Sequence, residues 1–177
     1  MKKTITTIAM LGMLLPGMAQ NVKTTFQTSS HWKPTIDVRA DAVMVYGTGS
    51  SPQISFRERV DSWRKQGYTT HFMTGIAWGG YSDYFTGKWD GKQHMDEGQK
   101  DMKGDTILHN PGTPYIVPTL NYLKYFKETQ LKPVIDAGIS DIFLEEPEFW
   151  AYAGYSESFK REWEAYYGFP WRAQHLS

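Results

Sequence analysis

Three carboxylates within four residues, Glu145-Glu146-Pro147-Glu148, are the densest chemistry in this chain. Like charges held so close raise one another's pKa, and that tension suits proton transfer or the holding of a cation. The residues before them, Asp141-Ile142-Phe143-Leu144, form a short apolar run of the kind a buried strand shows, so the carboxylates fall at its carboxyl end. Consecutive strand residues face opposite sides, and Glu145 and Glu146 cannot both enter one site. Glu146 precedes the proline that ends the strand; Glu148 lies just beyond. The competing structural reading has these groups capping the next helix or pairing with Lys160 and Arg161.

Something must position them. Ala42-Val43-Met44-Val45-Tyr46, closed by Gly47-Thr48-Gly49, predicts a strand buried on both faces. Ser51-Pro52 signals a helix start, with Phe56, Val60 and Trp63 forming one apolar stripe and Gly67 ending it. Tyr68 to Met73 predicts a second strand, whose exit carries Trp78 among glycines. Residues 79–118 are rich in glycine and charge and predict a long functional loop without its own helix, containing at most a small hairpin. Thr119 caps a helix with Leu120, Leu123 and Phe126 on one face; Pro133 interrupts it, and a second piece stops at Gly138. Ser156 opens a last helix with Phe159, Trp163 and Tyr166 or Tyr167 at helical spacing, ended by Gly168. Residues 20–40 are polar and aperiodic and are taken as a lead-in. Alternating strands and helices mean βαβ units and a parallel sheet, an α/β fold whose sites lie at the carboxyl ends of the strands.

Composition narrows the chemistry. The 177 residues hold nineteen basic and nineteen acidic side chains, with no basic block, which argues against nucleic acid or an anionic membrane as partner. Cysteine is absent, which excludes disulfides and thiolate catalysis. Residues 1–19 have a charged start at Lys2 and Lys3, an apolar stretch too short to span a bilayer, and a small-residue exit at Gly17-Met18-Ala19. They predict a cleaved leader, no membrane anchor, and a periplasmic or secreted protein. Gly47-Thr48-Gly49 lacks the Gly-Lys-Ser/Thr of a phosphate loop, and no cofactor motif is present. His71, His94 and His109 have no metal-ligand spacing, so no metal site is assigned to them. Asp83, Asp90, Asp96 and Glu97 are read as carboxylates of a solvated loop.

A parallel strand ending in an acidic residue and then Glu-Pro resembles the acid/base segment of TIM-barrel glycoside hydrolases, where Asn-Glu-Pro is common. The following Ser158-Phe159-Lys160-Arg161-Glu162-Trp163, leading to Tyr166-Tyr167-Gly168, is similar to the Phe-Arg-x-Trp…Tyr-Gly stretch of the family 42 β-galactosidase type. The resemblance covers residues 141–171. It implies that Glu146 is the acid/base carboxyl; Glu145 stands where the family has asparagine. It also implies a (β/α)8 barrel, which takes about 250 residues. Three strands are legible here, so the chain is expected to be the N-terminal portion of such a barrel, from residue 41 on, and of a larger hydrolase. The expected partner is an oligo- or polysaccharide. Trp78, Trp89, Trp150, Tyr152 and Tyr155, in or beside strand-end loops, would stack on sugar rings, whereas Trp63 and Trp163 belong to helix stripes. Two alternatives use the same residues: a non-catalytic carbohydrate-binding protein, and a metal-dependent enzyme holding Mg²⁺ or Ca²⁺ on Glu145, Glu146 and Glu148.

Overall fold

The computed structural model describes residues 22–49, 54–79 and 81–176. The leader at 1–19 and the helix-start signal at Ser51-Pro52 lie outside the described residues. Four strands form one sheet: β1 (Thr25–Thr28), β2 (Ala42–Tyr46), β3 (Thr69–Gly75) and, much later, β6 (Ile142–Glu145). Every neighbouring pair is parallel, and the spatial order follows the chain order. The protein is thus mixed α/β with a four-stranded parallel sheet.

β1 falls inside the presumed lead-in. Its sequence, Thr-Phe-Gln-Thr, is short and polar because it lies at the sheet's edge and only Phe26 reaches the core. Asp41 fixes it: one carboxylate oxygen accepts from the Lys23 and Thr24 amides (3.0 and 2.9 Å) and the Thr24 hydroxyl (2.8 Å). These three bonds hold the Asp41 carboxyl below the usual carboxylate range, the Thr24 hydroxyl contributing most.

Register and alternation separate the sheet's two faces. Val43, Val45 and Phe72 share one face with Ile142 and Phe26, and on it pack α1 (Phe56–Arg64) and α4 (Lys132–Asp136). Ser55 caps α1 in a reciprocal box with Glu58, and Phe56, Val60 and Trp63 are all buried, as the apolar stripe requires. The other face presents Gln27, Met44, Tyr46, His71, Met73, Phe143 and Glu145. None of Met44, Tyr46, Met73 or Phe143 enters a buried cluster among the described residues.

The connection at 79–118 is not a solvated loop. It contains α2 (Ser82–Phe85), a helical turn at Met95–Glu97 and a small hairpin of β4 (Leu108–Asn110) and β5 (Thr113–Pro114). It also carries half of a second core: Tyr81, Tyr84, Phe85 and Ile116 pack on Tyr122, Tyr125 and Phe126 of α3 (Leu120–Phe126). The buried face of α3 is therefore the tyrosine face. Leu120 is 73% exposed, and Leu123 is exposed too, contrary to the apolar pattern. Thr119 caps α3 as expected, through a bond from the Tyr122 amide (3.0 Å). A π-turn, Lys127–Leu131, joins α3 to α4. The final helix, α5 (Glu157–Tyr167), is capped by Ser156 and stopped by a left-handed Gly168. It packs on the Met95–Glu97 turn, and its Trp163 is half-buried among Phe159, Tyr167 and Phe169, on the stripe the sequence indicated. No described helix is long and apolar enough to cross a membrane.

Candidate functional site

A cleft of about 660 Å³ opens at the carboxyl ends of all four parallel strands. Gln27 comes from β1, the Tyr46-Gly47-Thr48-Gly49 exit from β2, Met73 to Gly75 and Trp78 from β3, and Glu145 from β6. Position follows from topology, because parallel strands bring all four exits to one end.

Arg59, outside the lining, holds one wall in place. It is buried on α1, and its guanidinium donates to the carbonyls of Ser29 (2.7 Å), Tyr46 (3.2 Å), Gly49 (2.9 Å) and Gly47. One fork of donors thereby ties the exits of β1 and β2 together. Thr48 donates to the Thr129 carbonyl (2.9 Å), which brings Gln130 to the rim. The opposite wall depends on Gly75. A methyl group there would lie 2.7 Å from the Trp78 carbonyl oxygen, so only glycine lets the chain fold back and set Trp78 against the cleft.

The carboxylates separate as alternation demands. Glu145 lines the cleft and is half-buried. Glu146 is exposed, away from the lining, in a left-handed conformation with φ of 47°. Glu148 turns back toward the insertion: its carbonyl accepts from the Gln99 side chain (2.7 Å), and its carboxylate has a buried, unpartnered Oε2. The three do not converge. Among the described residues no group of three histidine or acidic side chains is gathered as a metal ion would need.

The aromatic candidates divide likewise. From Trp78 a chain of ring contacts runs out of the cleft. Trp78 stacks on His109 (4.0 Å, 10° between planes), His109 meets Tyr115 edge-on (5.5 Å), Tyr115 meets Trp150 (5.5 Å), and Trp150 lies 6.0 Å from Tyr152. Trp150, 37% exposed, is held by its amide bonded to Gln99 Oε1 (3.2 Å). Burial, with the nearby Glu148 and Glu146 charges, pushes the Tyr115 phenol up. Tyr155 stands apart, against Trp171 and His175. Trp89 is not at the cleft: it packs on Tyr84 and Tyr125 and donates to Glu128 (3.1 Å).

Sequence reasoning missed His109, Tyr115, Gln99 and Arg59. Each acts through a partner far along the chain, and only the periodicity of α1 placed Arg59 beside a buried stripe. Glu97 was misjudged as solvated. It is 2% exposed and accepts from the hydroxyls of Tyr84 and Thr119 and from Asn121 Nδ2 (3.1 Å), with His94 Nδ1 at 3.3 Å. His94 also faces Asp90 (3.1 Å) and stacks on Tyr84. Asp83 likewise accepts from Tyr125 (2.6 Å), while Asp96 remains at the surface near Arg161.

Comparison with protein-family models, curated proteins and solved structures finds no match to this chain.

Proposed function

We propose that the cleft binds carbohydrate and that the chain is a portion of a (β/α)8 glycoside hydrolase working by carboxylate acid/base chemistry, outside the cytoplasm after loss of its leader. One observation carries this reading: Glu145 and Trp78 line the same cleft at the carboxyl ends of parallel strands, and an aromatic ledge leads away from it. Strands that follow one another in chain order, with α1 and α4 on one face, suit a barrel wall. Trp78, Trp150 and Tyr152 offer flat apolar faces for sugar rings. Glu145 is the carboxyl inside the cleft, and Glu146, by its exposure, belongs to the rim. Hydrolysis needs a carboxylic acid to protonate the leaving oxygen and a second carboxylate to accept a proton from water or to bond the sugar.

The test is turnover of a panel of aryl glycosides and polysaccharides by the full-length parent and its Glu145→Gln and Glu146→Gln variants, since the chain alone, with one carboxyl lining the cleft among the described residues, is expected to be inactive. An acid/base group contributes about 10²–10⁴-fold. Loss of that size is expected in Glu145→Gln only. Loss confined to Glu146→Gln would move the role to the rim; glycan binding without any turnover would favour the non-catalytic reading.

A further inference from the structure

His109, on β4, stacks on Trp78 but stands outside the lining of the cleft. Its Nδ1 lies 3.1 Å from the hydroxyl of the buried Tyr115. Two further groups face that hydroxyl, the Glu148 carboxylate and the Trp150 indole N–H. Gln99 fixes this meeting point. It is 1% exposed, donates to the carbonyls of Ile116 (3.1 Å) and Glu148 (2.7 Å), and accepts from the Trp150 amide (3.2 Å). The residue after Tyr115 is thereby tied to the segment that carries Glu148 and Trp150.

Proton count decides how His109, Glu148 and Trp150 share one oxygen. A phenol gives one proton and receives through its lone pairs, whereas a carboxylate only accepts and an indole N–H only donates. Glu148 Oε2 is buried with no partner within bonding distance, so the phenol proton has its strongest acceptor on that side. The hydroxyl oxygen then receives from Trp150 and from His109, which must carry its proton on Nδ1. A histidine bonded that way presents a bare lone pair on Nε2. No described residue bonds that nitrogen. The half-buried ring is held face-on by Trp78 and edge-on by Tyr115 (5.5 Å). A neutral acceptor of fixed orientation, beside a cleft and along a ledge of aromatic rings, suits a sugar hydroxyl, which donates one hydrogen bond while the apolar face of its ring stacks.

We propose, resting on the carbohydrate reading above, that Glu148, Tyr115 and Trp150 hold His109 in its Nδ1–H tautomer and that His109 Nε2 accepts a hydroxyl of the sugar unit beyond the one at Glu145. His109 binds substrate; Tyr115 and Glu148 act through it as positioning residues. Because His109 stands outside the cleft lining, the hydroxyl belongs to a further unit, and the substrate class is an oligosaccharide rather than a single sugar on a small apolar group.

Kinetics of the full-length parent test this. His109→Phe keeps a flat ring against Trp78 and loses the acceptor. KM for an oligosaccharide should rise about three- to tenfold, the contribution of one neutral hydrogen bond, with kcat unchanged. The same variant should leave KM for a phenyl glycoside of a single sugar as it is. His109→Gln, whose amide oxygen reaches the place of Nε2, should restore most of the affinity. Nitrogen NMR of the histidine-labelled parent, with the His109 signals assigned by their loss in His109→Phe, should show a protonated Nδ1 and a bare Nε2. Tyr115→Phe should leave a mixture of both tautomers, and binding of the oligosaccharide to wild type should move the Nε2 resonance. A wild-type His109 protonated on Nε2, or a KM rise equal in both His109 variants or equal on both substrates, would overturn the proposal and leave the cleft a carbohydrate site. Failure of the wild-type parent to bind any glycan would overturn the carbohydrate reading, and the acceptor role with it.

Discussion

Glu97→Ala removes one acceptor shared by Tyr84, Thr119, Asn121 and His94 in a site that solvent barely reaches. Each orphaned buried donor loses about 1–3 kcal/mol, and the donors relax together rather than additively. Breaking a buried charged network by deleting one member typically costs about 3–5 kcal/mol, so about 4 kcal/mol is expected here. For a chain of this size each kcal/mol moves the melting temperature by about 2–4 °C, which makes the expected drop about 8–16 °C. Glu97→Gln should lose about half as much, because its carbonyl still accepts while its amide meets a ring of donors. Thermal melts by circular dichroism at pH 7, with urea titrations to check that the m-value is unchanged, read this directly. A Glu97→Ala melt within about 2 °C of wild type would mean that water satisfies the orphaned donors and that this carboxylate does not organise the second core.

Trp150→Ala should weaken glycan binding with little change in melting, because the ring is partly exposed on the ledge. Trp163→Ala should do the reverse at about 2 kcal/mol, less than the 3–5 kcal/mol of a fully buried tryptophan; isothermal titration and melts compare the two. Asp41 has a folded pKa below its unfolded one, so its contribution is present above the usual carboxylate range and is lost as pH falls through and below it. Asp41→Asn should accordingly flatten the acid limb of the stability–pH curve, and hydrogen exchange should show β1 opening first. A limb unchanged in that variant would assign acid sensitivity to other carboxylates. Glu146→Gly should raise stability by up to about 1 kcal/mol, since glycine adopts a positive φ without the penalty of a Cβ; a lower melting temperature would show that Glu146 makes contacts worth more than its backbone strain.

The strands that read clearly were those with one dominant requirement. Ala42–Tyr46 is observed with the bounds its apolar run and following glycines indicated, and β3 and β6 fall within two residues of theirs. The expected burial fails, however: Tyr46 is exposed on the second face of β2, and Phe143 and Leu144 of β6 are exposed. Caps were legible at Thr119 and Ser156 because a side-chain oxygen before a helix has a local task. β1 was not, since an edge strand needs little apolar content and its anchor, Asp41, lies across a loop. The second core hid for a related reason. Tyrosines such as Tyr84, Tyr122 and Tyr125 bury their rings only because distant carboxylates and carbonyls receive their hydroxyls, and no local pattern announces such a partner. Of the site, Glu145 and Trp78 were in view from strand-end position alone, whereas the inward choice of Glu145 over Glu146 required the register of β6 against β3.

The late arrival of β6 also sets a clock. β3 and β6 are neighbours in the sheet, yet residues 76–141 lie between them and carry a core of their own. β1, β2 and β3 can associate through short connections, but β6 must wait for a long closure whose entropy is spent before its contacts reward it. We expect β6 to dock after the rate-limiting barrier. Ile142→Val should then speed unfolding and leave the refolding rate nearly unchanged, while Val45→Ala slows refolding. Until β6 docks, the cleft lacks the wall that Glu145 supplies.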